Sequence, residues 1–283
     1  MIDTGYYTSE ELTLLHSLIR IPAIIREEEA AADFLQHYIE ETGIMTGRSG
    51  NNIWCISPMF DINKPTILLN SHIDTVKPVS GWRKQPFTPK NENGKLYGLG
   101  SNDAGASLVS LFQVYRHLSM TTQSYNLIFL ASCEEEVSGK NGIESVLPQL
   151  PPIALGVVGE PTEMHPAIAE KGLMVLDVTA HGKSGHAARN EGENAIYKLL
   201  PDIEWFRTYK FPKESPILGP VKMSVTQINA GTQHNVIPDL CSIVVDIRSN
   251  ECYSNEELFA EICQHIQREA KERSFRLNTS SIP

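Results

Sequence analysis

Residues 66–74 read Thr-Ile-Leu-Leu-Asn-Ser-His-Ile-Asp. A short apolar run here ends in metal-type side chains. The part from Thr66 to Asn70 reads as a strand, and unbroken apolar runs of this length suit a sheet covered on both faces. His72 and Asp74 are two positions apart, so in an extended segment they point to the same side. Asp74 can then hydrogen-bond the ring nitrogen of His72 that does not bind a metal, which fixes the tautomer and raises ligand basicity.

Two more stretches repeat the pattern. Asn126–Ala131 (Asn-Leu-Ile-Phe-Leu-Ala) runs into Cys133-Glu134-Glu135-Glu136, and Ile153–Val158 (Ile-Ala-Leu-Gly-Val-Val) runs into Gly159-Glu160-Pro161-Thr162. Gly100-Ser101-Asn102-Asp103-Ala104-Gly105 lies between the first two strands and opens a helix spanning 105–118. In open α/β sheets the ligand site lies at the carboxyl ends of the strands. Acids and an imidazole brought to that one edge repel each other unless a cation is present, and divalent metals answer that need. Taken singly, each motif also reads as a hydrogen-bonded histidine, a solvated turn, a helix start or a loop. Their shared position after strands favours a metal centre.

Upstream, Thr8 and Glu11 read as a capping box, followed by Leu12, Leu15, Leu18 and Ile19 at helical spacing. A second amphipathic helix is expected from Glu27 to Glu41, with Gly43 as its stop. Alternating helix and strand argues an α/β layered domain over 1–170. Beyond Lys171 the pattern changes. Strands are expected at Leu173–Ala180, Val221–Asn229, Cys241–Arg248 and Phe275–Ile282. Helices are expected at Asn194–Phe206 and from the Ser254/Glu257 capping box to about Lys271. The order β-α-β-β-α-β is the ferredoxin-like split motif, giving a second domain over 171–283.

Composition narrows the function classes. The chain is 41% hydrophobic and 20% charged, and no window reaches the ~20 apolar residues of a membrane span. Met1–Glu11 is polar and acidic, unlike a signal peptide. A formal charge of −10 without a basic cluster argues against nucleic acid or an anionic membrane as partner. The five cysteines (Cys55, Cys133, Cys241, Cys252 and Cys263) are odd in number and form no Cys-x-x-Cys pair. They read as reduced thiols of a cytoplasmic protein. Gly98-Leu99-Gly100 is only a partial dinucleotide fingerprint, which sets a dehydrogenase aside.

Ser71-His72-Ile73-Asp74-Thr75-Val76, Gly100–Gly105, Glu134-Glu135-Glu136-Val137-Ser138-Gly139 and Gly159–Thr162 together resemble the four ordered metal motifs of a two-zinc amidohydrolase and metallopeptidase family. That family includes aminoacylase, acetylornithine deacetylase and succinyl-diaminopimelate desuccinylase. The wording of the motifs is most similar to acetylornithine deacetylase, and the match runs from Leu12 to about Arg248. The resemblance implies a zinc-hydrolase catalytic domain, with a mixed sheet flanked by helices, and a ferredoxin-like α+β dimerisation (lid) domain. It implies two Zn2+ per subunit, with Co2+ able to substitute. His72 and Glu160 would bind the first metal, Asp103 would bridge, and Glu136 would bind the second. Glu135 would be the general base, with Asp74 behind His72.

The same resemblance extends to the second domain. Gly185-His186-Ala187-Ala188 implies that His186 supports the oxyanion in the partner subunit's site, hence a homodimer. Thr232–Pro238 and Asp246-Ile247-Arg248 imply that Asn235 contacts the substrate and Arg248 clamps its carboxylate. The family's further His ligand, near its C-terminus, has no counterpart in this sequence, so the second metal site is expected to be incomplete. The implied activity is hydrolysis of an N-acyl amino acid, N-acetylornithine or N-succinylornithine, in arginine biosynthesis. The alternatives are a di- or tripeptidase, a desuccinylase, or a catalytically impaired relative that binds without turnover.

Overall fold

The computed structural model describes residues 4–189 and 191–279. The chain divides into two compact units, Met1–Met164 and His165–Pro283.

The first unit carries helices α1 (Thr4–Arg20), α2 (Glu29–Glu41) and α3 (Ala106–Ser119). Its main sheet holds β1 (Gly47–Ser49), β2 (Asn52–Ile56), β3 (Thr66–His72), β4 (Asn126–Ser132) and β5 (Leu155–Val158). The strand order is β1-β2-β4-β3-β5. The β3–β4 and β3–β5 pairs are parallel and the others antiparallel, so the sheet is mixed.

Strand β4 is buried at every position, and its side chains alternate between two cores. Leu127, Phe129 and Ala131 pack with Leu35, Phe112 and Tyr115 of the helices. Ile128 and Leu130 pack with Leu68, Val146 and Leu150 on the other face. Burying a side chain of this kind contributes about 1.5–3 kcal/mol. A continuous apolar run is therefore what a central strand of this sheet requires. Strand β5 departs from the expectation of two-sided cover. All four of its residues are exposed, with Leu155 at 55% and Val158 at 60%. It is the edge strand, and its side chains join neither of the two cores that cover β4.

Two helix boundaries also differ from the sequence reading. Helix α1 begins at Thr4, so Thr8 lies inside it rather than capping it. Helix α2 begins at Glu29, because Glu28 turns inward and accepts hydrogen bonds from the Arg26 N–H (2.6 Å) and Asn51 Nδ2 (3.2 Å).

The second unit holds β6 (Gly172–His181), α4 (Ala195–Thr208), β7 (Lys222–Ala230), β8 (Leu240–Ser249), α5 (Asn255–His265) and β9 (Glu269–Glu272). The sheet order β7-β8-β6-β9 is antiparallel throughout, which is the ferredoxin-like arrangement. Met174, Leu176, Val178 and Ala180 alternate inward on β6, as do Cys241, Ile243, Val245 and Ile247 on β8. They meet Leu199 and Phe206 of α4 and Leu258 and Ile262 of α5. The Ser254–Glu257 capping box is present with both of its hydrogen bonds.

The final strand corrects the sequence reading. Helix α5 ends at His265 rather than near Lys271, and the edge strand is Glu269–Glu272 instead of Phe275–Ile282. Glu-Ala-Lys-Glu has weak strand propensity, but the open edge of β6 over Leu176–Thr179 offers it a ladder of backbone partners. Of the expected Phe275–Ile282 strand, Leu277 makes one isolated bridge to Leu173, and residues 280–282 lie outside the described residues.

Candidate metal centre

The carboxyl ends of β3, β4 and β5 lie level in the sheet, with His72 opposite Ser132 and Asn70 opposite Val158. His72 closes β3, Glu134–Glu136 follow β4, and Glu160 follows β5. The loop before α3 carries Asp103. That loop starts at Gly100, whose φ of 72° is left-handed, and closes through the Gly105 N–H to the Gly100 carbonyl at 2.8 Å.

These elements bring five metal-type side chains together. His72 Nε2 lies 3.0 Å from Asp103 Oδ1, 3.7 Å from Glu160 Oε2 and 3.9 Å from Glu135 Oε2. Ligand atoms of His72, Asp103 and Glu136 fall within 4.8 Å of one another, as do those of His72, Glu135 and Glu160. His72 Nε2 has one lone pair, so it serves one ion, and two ions held together must divide the carboxylates.

The His72 ring is 1% exposed. Its Nδ1–H donates to the Asp74 backbone carbonyl at 2.9 Å, while the Asp74 carboxylate is 3.5 Å away. The ring is thus held first by main chain, with the Asp74 carboxylate as a longer second partner on the same nitrogen. The Asp74 carboxylate also accepts from the backbone N–H groups of Glu135 and Glu136, each at 3.1 Å.

The electrostatics follow from burial and like charge. Burial would lower the His72 pKa, but the carboxylates of Asp74 and Glu160 outweigh it and push the ring up to about 11. Burial would raise Asp74, yet His72 and the two amides hold it below the ordinary carboxylate range. Glu135 is raised, first by burial and then by Glu160, Glu136 and Asp74, with His72 opposing. Glu136 is raised by burial and then by Asp103.

Among the described residues, no Lys or Arg pairs with Asp103, Glu135, Glu136 or Glu160. A proton on His72 offsets only part of this negative charge, and a divalent cation can replace it. One imidazole and several carboxylates form the mixed nitrogen and oxygen donor set of zinc-type ions. The donors fit such an ion.

The other site candidates lie in the second unit. Gly185–His186 pairs antiparallel with Val236–Ile237, and the Ala187 N–H donates to the Asn235 carbonyl at 2.9 Å. The two motifs that contain His186 and Asn235 are thus adjacent, and both residues are exposed. Arg248 is also exposed and makes a forked pair with Asp246, at 2.9 and 3.1 Å.

Residues 168–274 match the peptidase dimerisation domain of the M20 family. A succinyl-diaminopimelate desuccinylase from Pelagibacter ubique is 25% identical over 272 residues, covering 89% of this chain and 71% of that protein. Among solved structures, a tripeptidase from Staphylococcus aureus superposes with a TM-score of 0.73 at 18% identity, over 97% of this chain and 77% of that one. A dinuclear metal-binding peptidase of the M20 family from Bacillus subtilis gives 0.68 at 15% identity, over 98% and 76%. The second unit thus matches an M20 peptidase dimerisation domain, the fold is that of the M20 peptidases, and the similarities support a hydrolytic enzyme.

The sequence reading missed two supports of the candidate centre. Ser71 is fully buried, and its hydroxyl donates to the Gly159 carbonyl at 2.8 Å, tying β3 to the segment that carries Glu160. A small polar residue in an apolar strand, just before the candidate ligand, was the available signal. Glu134 is 8% exposed, and its carboxylate accepts from Asn141 Nδ2 at 2.9 Å. A Cβ on Gly139 would fall 1.9 Å from Glu134 Oε2, so the glycine makes room for it. The first acid of the run is thus built into the protein, while Glu135 and Glu136 reach the centre.

Proposed function

We propose that the chain hydrolyses the amide bond of an N-acyl amino acid or a small peptide with a divalent metal held by His72, Asp103, Glu136 and Glu160. The observation that carries this reading is a buried histidine ringed by carboxylates at the level ends of parallel strands, with no Lys or Arg among the described residues pairing with Asp103, Glu135, Glu136 or Glu160. A bound zinc or cobalt ion supplies Lewis acidity toward the attacking water and the amide carbonyl. Glu135 takes a proton from that water and returns it to the leaving nitrogen; a carboxylate raised above its usual range is better matched to both tasks. His72 and Glu160 would hold one such ion and Glu136 a second, with Asp103 available to either.

In the second unit His186 supports the developing oxyanion in the partner subunit of a homodimer, Asn235 contacts the substrate and Arg248 takes its carboxylate. Arg248 must then share its fork with Asp246. N-acetylornithine and N-succinylornithine are substrates of this reading. A desuccinylase or a tripeptidase activity is an equal alternative, since a succinyl-diaminopimelate desuccinylase and a tripeptidase are among the relatives. The protein is proposed to work in the cytoplasm; among the described residues no helix is long and apolar enough to cross a membrane.

The test is a panel of N-acetylornithine, N-succinylornithine, N-succinyl-diaminopimelate, dipeptides and tripeptides, assayed with zinc, with cobalt and with chelator. Metal-dependent release of a free amine from at least one member is expected. Absence of turnover on all of them with both metals, in folded protein, would sink the reading.

A further inference from the structure

The Asp74 carboxylate is completely buried, at 0% side-chain exposure. A buried carboxylate is costly unless donors satisfy it. Its two oxygens take one backbone N–H each, from Glu135 and Glu136, at 3.1 Å. The His72 Nδ1–H is taken up elsewhere, by the Asp74 carbonyl at 2.9 Å. Two successive N–H groups aimed at one anion make a backbone nest. The nest exists because Glu134 adopts a left-handed conformation, φ 55° and ψ 24°, at the end of β4. That bend is held by the Glu134 carboxylate on Asn141, by the Gly139 N–H on the Glu134 carbonyl (2.8 Å), and by the missing side chain at Gly139.

We infer that Asp74 is a positioning residue for the Glu135–Glu136 turn: its carboxylate fills a backbone nest and so aims the proposed general base and the proposed second-metal ligand from behind. The strand that ends in His72 thereby also sets the geometry of the acidic turn after the neighbouring strand. The role given to Glu135 and Glu136 rests on the proposed function, but the nest itself does not.

The test is therefore made first without turnover. Chelator-stripped protein labelled with 15N at Glu and His is examined by NMR and amide exchange. In the unsubstituted chain the Glu135 and Glu136 amides should be protected although they sit in a three-residue turn. Asp74→Asn keeps one acceptor oxygen and should lower the protection of at least one of the two amides by about tenfold or more, the scale of one charge-assisted hydrogen bond. Asp74→Ala should free both. The His72 15N pattern should stay that of an Nδ1–H ring in both variants, because its acceptor is a main-chain carbonyl. In assays, kcat should fall for Asp74→Asn with KM little changed. Two results overturn the inference: unprotected Glu135 and Glu136 amides in the unsubstituted chain, or a changed His72 pattern in Asp74→Asn with both amides still protected. The first needs no variant, so it stands even if Asp74→Ala fails to fold.

Discussion

Glu134, Glu135 and Glu136 are consecutive and chemically identical, but their surroundings differ, so replacing each by Gln should give three different proteins. Glu135 Oε2 lies 3.9 Å from His72 Nε2, on a side chain 53% exposed. Glu135→Gln removes a proton acceptor and should cut turnover by about 10²–10⁴, or about 3–5 kcal/mol of barrier, with metal content and melting temperature kept. Glu136 lies close enough to His72 and Asp103 to share an ion with them, so on the proposed function Glu136→Gln should lose metal and turnover together. Glu134 is held by Asn141 and does not reach the centre. Glu134→Gln weakens the hydrogen bonds from Asn141 Nδ2 (2.9 Å) and the Asn141 N–H (3.4 Å), together worth about 1–2 kcal/mol. That should lower the melting temperature by about 2–8 °C in a protein of this size and leave turnover within a few-fold. The assay combines initial rates at saturating zinc, metal per chain after dialysis and thermal melts. The assignment fails if Glu134→Gln abolishes turnover while metal and melting temperature are unchanged, or if Glu135→Gln keeps most of its activity.

Four further outcomes follow from the same geometry. Ser71→Ala should cost about 1 kcal/mol and weaken zinc binding up to about tenfold, read by denaturation and by zinc titration, because the Gly159 segment loses its side-chain tie to β3 and keeps only the backbone bond to Asn70. Gly105→Ala places a Cβ 2.6 Å from the Gly100 carbonyl and 2.8 Å from Leu15 Cδ1, so it should open the Asp103 loop and reduce zinc affinity in the same titration. In metal-free protein the His72 pKa is raised from 6.5 to about 11, so its stabilising contribution is complete below about 6.5 and is lost as pH rises toward about 11. Denaturation of stripped wild type and His72→Gln from pH 7 to 11 should show their difference shrinking. Mixing Glu135→Gln with His186→Ala should restore activity if each site borrows His186 from its partner; no recovery after verified subunit exchange would remove that role.

The sequence made some parts of this structure legible and left others dark, for physical reasons. Strands β3 and β4 could be read because they are buried on both faces, and a continuous apolar run has few other uses at that length. The Ser254–Glu257 box could be read because capping is local chemistry. Strand β9 could not: its residues are charged, and only the open edge of β6 makes it a strand. In the candidate metal centre, the motifs holding His72, Asp103, Glu134–Glu136 and Glu160 could be singled out because each follows a strand or opens a helix, and the resemblance to a known family then named the individual residues. The division of labour between the Asp74 carbonyl and carboxylate depends on where a left-handed Glu134 sends two amides, and no spacing rule encodes that. Ser71 was hidden for a similar reason, since its partner lies 88 residues away along the chain.

The central claim is that a carboxylate-ringed His72 holds the metal that hydrolysis requires. Cobalt titration tests it most directly, using chelator-stripped wild type and His72→Ala, with metal absorption and hydrolysis of the best substrate followed in the same samples. The account predicts no hydrolysis in the stripped chain, parallel recovery of absorption and turnover as cobalt is added to wild type, and loss of both in His72→Ala. Undiminished hydrolysis by the stripped chain, or cobalt binding by His72→Ala as tight as wild type, would contradict it.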